Sequence, residues 1–278
     1  MKDVSFLTAN GCDINSSLEL FGDIKTYNDT IGEFLLGLNE KLPKIKEYKD
    51  NKDMANYAIY THSLKSDAKY FGFTHLAELA LNHELKSKAN DYYYVSQNYD
   101  ELMTEANRVL HVVKQYLGQE EAPASGTTNF VSSTTVVSDQ GMTTLERYTE
   151  KTILVADDSN IVRNFVERIF KDIYKVGTAK DGKEAIDIIA ANKNNDNIVA
   201  ILLDLNMPNI DGFAVLDYMT KEELLTKMPV SIISGDSSKE TITKAFTYQI
   251  VDMLGKPFTQ DDVKNIINKT IAFKDLNN

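Results

Sequence analysis

Two fold classes share this chain: an all-α four-helix bundle over residues 1–118, then a doubly wound α/β domain with a five-stranded parallel sheet over 150–278. Three observations predict this. Before residue 118, apolar residues recur at helical spacing and β-branched runs are scarce. After residue 150, short apolar runs alternate with amphipathic stretches, the pattern of strand–helix units whose sheet is covered on both faces. Between them, over 119–149, Ser, Thr and Gly crowd into Gly126-Thr127-Thr128, Ser132-Ser133-Thr134-Thr135 and Ser138, which is linker composition. Phe130-Val131 and Val136-Val137 are the only pairs in that stretch suited to weak docking on a neighbour.

In the first region the spacing predicts helices over Asp23–Leu38, Lys41–Lys49, Asp53–Phe71, Thr74–Asn90 and Val95–Leu117, after a short turn near Ser16–Phe21. Gly32, Gly37, Pro43 and Gly72 stand where helices can bend or end, and Tyr92-Tyr93-Tyr94 is read as an interhelical loop. In the second region the strands are Thr152–Ala156, Lys175–Ala179, Val199–Leu203, Pro229–Ile233 and Val251–Leu254. The helices that follow them are Ile161–Phe170, Lys183–Ala191, Ala214–Met219, Lys239–Tyr248 and Asp261–Ala272. Ser159 and Asp181 stand where helix N-caps belong.

Composition bounds the function. The 278 residues carry a formal charge of −11, which argues against a duplex-binding surface and so against nucleic acid as a partner. The single cysteine, Cys12, excludes an internal disulfide framework. No apolar run approaches the roughly 20 residues of a membrane span, and Met1 to Asn15 lacks the apolar stretch of a signal peptide. A cytoplasmic protein without membrane insertion is the expectation.

In a parallel sheet, chemistry gathers beyond the carboxyl ends of the strands. There the first strand delivers Asp157 and Asp158, the third Asp204, the fourth Ser234 and the fifth Lys256. Three carboxylates that close repel, and a hard divalent cation with oxygen ligands relieves them; Mg²⁺ fits best. A hydroxyl and an ammonium converging on the same spot suit phosphoryl transfer onto a carboxylate.

This region resembles the receiver domain of two-component response regulators, a flavodoxin-like fold. The resemblance rests on Leu154-Val155-Ala156-Asp157-Asp158-Ser159, Ala179-Lys180-Asp181-Gly182, Leu203-Asp204-Leu205-Asn206-Met207-Pro208, Asp211-Gly212-Phe213, Ser234-Gly235-Asp236 and Lys256-Pro257-Phe258. It implies Asp204 as phosphoacceptor, Asp157 and Asp158 with Asp204 at Mg²⁺, and the carbonyl of Asn206 as a further metal ligand. Ser234 and Lys256 are implied as phosphoryl ligands, and the Lys256-Pro257 bond as cis. Met253 stands where the family commonly has an aromatic residue, and Gln249-Ile250 replace its usual Gly-Ala.

On the helix from Asp53, the residues Met54, Tyr57, Thr61, Leu64, Ala68 and Phe71 form the core face. His62 lies about 100° away from Thr61, which predicts an exposed stripe shared with Lys65, Ser66 and Lys69. With His62-Ser63-Leu64-Lys65-Ser66, Lys69-Tyr70-Phe71-Gly72, Leu76-Ala77-Glu78-Leu79-Ala80 and Glu84, the region from Asp13 to Leu117 resembles a histidine phosphotransfer (HPt) domain. The resemblance implies His62 as phosphoacceptor, with Lys65 stabilising phosphate charge; Ser66 replaces the glycine of the family's His-x-x-Lys-Gly. His75, His83 and His111 are read as structural.

The expectation is therefore a phosphorelay protein fed by a histidine kinase or by other receiver or HPt proteins, with no kinase catalytic domain of its own. Two further readings stay open: a receiver-only switch whose bundle binds or dimerises, and a phosphate sink.

Overall fold

A computed structural model describes residues 3–119 and 148–277. Of the linker expected over 119–149, residues 120 to 147 lie outside the described residues.

Two short helices, α1 (Val4–Ala9) and α2 (Ile14–Phe21), lead into four long ones: α3 (Ile24–Asp50), α4 (Met54–Tyr70), α5 (Thr74–Lys88) and α6 (Tyr92–Leu117). Aspartates start most of them. Asp13, Asp23, Asp53 and Asp91 each accept a hydrogen bond from a backbone N–H in the first turn, satisfying a donor that the helix leaves free. Part of the acidity of this region is therefore capping.

Two expectations need correction. The helices expected over Asp23–Leu38 and Lys41–Lys49 are one, because Leu35, Leu38, Leu42 and Ile45 form an unbroken buried stripe that runs past Pro43. Packing of that stripe outweighs a penalty of about 3 kcal/mol for proline in a helix interior. The run Tyr92-Tyr93-Tyr94 is likewise no loop: Asp91 caps α6 by accepting from the Tyr94 N–H at 3.0 Å, so the tyrosines form its first turn.

The bundle core is aromatic, with Phe34 stacked between Phe71 at 4.8 Å and Phe73 at 5.7 Å. The α4–α5 turn reaches that core by a close backbone approach. Asp13 N–H donates to Gly72 O at 2.8 Å, Gly72 has φ +76°, and any side chain there would run into the Asp13 carbonyl.

The second region alternates β1 (Thr152–Ala156), α7 (Asn160–Phe170), β2 (Lys175–Ala179), α8 (Gly182–Asn192), β3 (Ile198–Asp204), α9 (Gly212–Lys221), β4 (Val230–Ser234), α10 (Lys239–Ala245), β5 (Met253–Gly255) and α11 (Gln260–Asn277). All strand pairs are parallel, in the order β2-β1-β3-β4-β5. Every residue of β1, β3 and β4 is buried, which is why these strands read as apolar runs rather than as alternation.

The helical region packs on this sheet domain. Phe21 meets Phe165 edge-to-face at 6.0 Å and Tyr70 meets Phe258 at 5.8 Å, so one apolar cluster runs from the bundle into α7 and α11. Among the described residues no helix is long and apolar enough to cross a membrane.

Candidate functional site

The carboxyl edge of the sheet collects the expected residues. Asp204 is the last residue of β3, Asp157 follows β1 directly, and ligand oxygens of Asp157, Asp158 and Asp204 lie within 4.8 Å of one another. Lys256, just beyond β5 and joined to Pro257 by a cis bond, reaches between them: its Nζ is 2.6 Å from Asp157 Oδ2 and 2.7 Å from Asp204 Oδ2. Burial pushes the Asp157 carboxyl up to about 7 against the pull of Lys256. Burial alone would lower the Lys256 ammonium, but Asp157 and Asp204 hold it well above the ordinary lysine range.

One ammonium cannot balance three carboxylates at this depth. A divalent cation fits the surplus: the donors are all hard oxygens, and Asp158 is only half-buried. Asp158 lies in the wall of an open cleft of about 500 Å³ between the two regions, lined also by Lys41, Tyr60 and Lys180. That cleft connects the acidic cluster with solvent. Asn206 donates its N–H to Asp204 Oδ1 at 3.2 Å, and buried Ser234 accepts from the Asp236 N–H at 3.1 Å.

A second charged cluster lies across the junction, in the bundle. His62 Nδ1 is 2.7 Å from Glu84 Oε1, Lys65 donates to Glu84 Oε2 at 2.7 Å, and Lys88 donates to Glu84 Oε1 at 2.7 Å. Burial works to raise Glu84, yet the hydrogen bond and charge of His62, then the Lys65 ammonium, hold its carboxyl far below the usual carboxylate range. Burial lowers Lys65, with Glu84 opposing. In the neutral ring, a carboxylate on Nδ1 makes that nitrogen the donor and leaves the lone pair on Nε2. Nε2 is buried and has no hydrogen-bond partner among the described residues.

The exposed stripe expected for His62 is corrected here. His62, Lys65 and Ser66 are 2%, 3% and 5% exposed, and only Lys69 of that set faces solvent. The cause is the other region of the chain. The position that a Cβ on Gly235 would take is 3.0 Å from His62 Nε2, and Lys65 Nζ lies 3.5 Å from the Gly235 carbonyl oxygen. His62 also shares with Asn206 the wall of a cavity of about 390 Å³. The structure thus brings the two expected sites to one junction.

Polar contacts fasten that junction. Ser159 does not cap α7; its Oγ donates to Asp67 Oδ1 at 2.8 Å, while Lys41 pairs with the other oxygen of Asp67. Arg168 binds Glu33 at 2.7 Å and also reaches Thr30, and Gln260 Nε2 donates to the Phe21 carbonyl at 3.2 Å. Asp181, in contrast, caps α8 as expected. The sequence reading gave no role to Asp67, Gly235 or the Glu84 carboxylate. Glu84 left a signal, four residues before Lys88 and inside the HPt-like pattern, and Gly235 one inside Ser234-Gly235-Asp236, whereas Asp67 left none.

The family model of the response regulator receiver domain matches residues 153–268. Among curated proteins, the two-component response regulator ARR2 of Arabidopsis thaliana is 33% identical over 123 residues, 44% of this chain and 18% of that protein. The two-component response regulator ORR3 of Oryza sativa subsp. indica is 28% identical over 123 residues, 44% of this chain and 92% of that protein. Among solved structures, the Francisella response regulator 1452 receiver domain is 31% identical with a TM-score of 0.39, covering 44% of this chain and 98% of that one. Residues 153–268 are therefore a response regulator receiver domain, borne behind an N-terminal all-helical region.

Proposed function

We propose that the chain is a two-component phosphorelay protein in which a phosphoryl group passes between Asp204 of the receiver and His62 of an HPt bundle. One observation carries this reading: His62 Nε2 is buried, unpartnered and directed at Gly235 on the rim of the receiver's site, while Nδ1 is tied to Glu84. A histidine with a merely structural role has no reason to bury a bare nitrogen there.

In the transfer, the Nε2 lone pair attacks the phosphorus of an aspartyl phosphate. The N–P bond forms as the P–O bond to Asp204 breaks, and the carboxylate leaves with the electron pair. Glu84, hydrogen-bonded at Nδ1, balances the positive charge that grows on the ring, and Lys65 holds Glu84 in place. Lys256 meets the charge returning to Asp204 Oδ2, and the Ser234 hydroxyl is a phosphoryl ligand. Asp157, Asp158, Asp204 and the Asn206 carbonyl would hold Mg²⁺, which when bound would supply neutralisation of phosphoryl charge. The reverse reaction uses the same groups. The phosphate comes from a histidine kinase or from another receiver or HPt protein.

The test is the chemistry of the label. With Mg²⁺ and a small-molecule phosphodonor, wild type should show acyl phosphate and phosphohistidine, distinguishable by ³¹P NMR and by acid and base stability. His62→Gln should keep the acyl phosphate and lose the phosphohistidine. Asp204→Asn should lose both if the histidine is loaded through the aspartate. A wild type that forms only acyl phosphate contradicts the relay. The seating of the bundle on the receiver's rim at Gly235 also suits a second reading, a receiver-only switch with the bundle as its cover, and that result would select it.

A further inference from the structure

At Gly235 the receiver's rim comes close to the histidine itself. A Cβ built there would stand 3.0 Å from both Cε1 and Nε2 of His62 and 3.2 Å from Ser66 Oγ, closer than carbon normally approaches such atoms. The ring is unable to swing away, because Glu84 fixes it through Nδ1 and Glu84 is itself held by Lys65 and Lys88. The peptide at Gly235 needs no glycine for its own sake, since its φ is not positive. What demands glycine is the neighbour on the far side of the junction.

Ser66 completes the match. At the place where the HPt pattern has glycine, this bundle carries a serine whose Oγ is buried against the space that Gly235 leaves open.

We infer that Gly235 is the specificity-determining residue of the docking: its missing side chain admits the fixed ring of His62 and the hydroxymethyl group of Ser66, and a receiver bearing even a methyl group there excludes this bundle. The inference deepens the relay reading and rests on it for its consequence to transfer, but docking itself is measurable without phosphate. Gly255 supplies the control on the same edge of the sheet, because a Cβ there meets nothing within 4 Å.

The experiment is hydrogen–deuterium exchange on the full chain, read at the backbone of α4, for wild type, Gly235→Ala, Gly255→Ala and Gly235→Ala/His62→Ala. Protection across β1 and β3 reports that the receiver stays folded in each. Gly235→Ala should lose protection of α4 where it faces the receiver, Gly255→Ala should match wild type, and removing the obstructed ring in the double variant should restore protection. Transfer between Asp204 and His62 should fall about a hundredfold in Gly235→Ala, the scale of a misplacement near 1 Å. Unchanged α4 protection in Gly235→Ala would overturn the inference. Loss and rescue of protection, alongside a wild type that never transfers phosphate, would uphold the docking role and overturn the relay reading instead.

Discussion

In the bundle two ammoniums, Lys65 and Lys88, serve one carboxylate, Glu84; in the receiver one ammonium, Lys256, stands among three, Asp157, Asp158 and Asp204. The first cluster has positive charge to spare and ends in an imidazole nitrogen, His62 Nε2, with no hydrogen-bond partner among the described residues. The second has negative charge to spare and ends in a carboxylate. Charges buried this deeply are retained at a cost, so each imbalance points to what is bound during work. On the proposed function, a cation would sit on the receiver side and a phosphoryl group between the two. On the same proposal the roles separate: Glu84 fixes the His62 ring through Nδ1, whereas Asp157 and Asp158 would hold an ion.

The largest effect should come from the receiver's imbalance. Chelating divalent cations should cut acyl-phosphate formation on Asp204 about a thousandfold, since metal charge stabilisation is worth several kcal/mol. Formation that persists in chelator would erase the contrast between the clusters.

Next is the bundle's own network. Glu84→Ala strands buried Lys65 beside His62 and should destabilise the helical region by about 3–5 kcal/mol in urea unfolding, with Glu84→Gln costing less because a hydrogen-bonding group remains. Equal costs would mean that shape rather than charge holds the site.

Acid sharpens the same point. Because the folded state depresses the Glu84 carboxyl, its stabilisation is complete above the unfolded value of about 4.3 and is lost as pH falls from there through the lower folded value. The difference in stability between wild type and Glu84→Gln should therefore be flat at neutral pH and shrink on acidification. A difference that grows as pH falls has the wrong sign for this account.

The smallest effect is expected at the rim. Arg168 and Glu33 pair with side chains 34% and 23% exposed, so Arg168→Ala should cost no more than about 1 kcal/mol, and less at high salt. A larger loss would move the weight of docking from the Phe21–Phe165 and Tyr70–Phe258 contacts to this ion pair.

The receiver's organisation was legible because its signals are local. Buried strands leave apolar runs, and Thr152–Ala156 and Lys175–Ala179 form with the expected bounds. The parallel topology then brings Asp157, Asp204, Ser234 and Lys256 to one edge. In the bundle, Pro43 and the three tyrosines misled for one reason: local propensity was outvoted by a buried stripe in the first case and by an aspartate cap in the second. Least legible was the junction. A helical face with His62, Lys65 and Ser66 has the polarity of a solvated surface, and nothing in its spacing says that Gly235, 173 positions away in the numbering, will cover it. Ser159 shows the same limit, since a serine at a helix start predicts a cap and only the neighbouring bundle turns its hydroxyl to Asp67.

The central claim is that His62 and Asp204 of one chain exchange a phosphoryl group across this junction. The most direct measurement is the rate of phosphohistidine formation from chain phosphorylated on Asp204 in Mg²⁺, followed over a roughly hundredfold range of protein concentration. The account predicts a first-order rate that does not change with concentration and vanishes in His62→Gln. A rate proportional to concentration, or no phosphohistidine at any concentration, would contradict it.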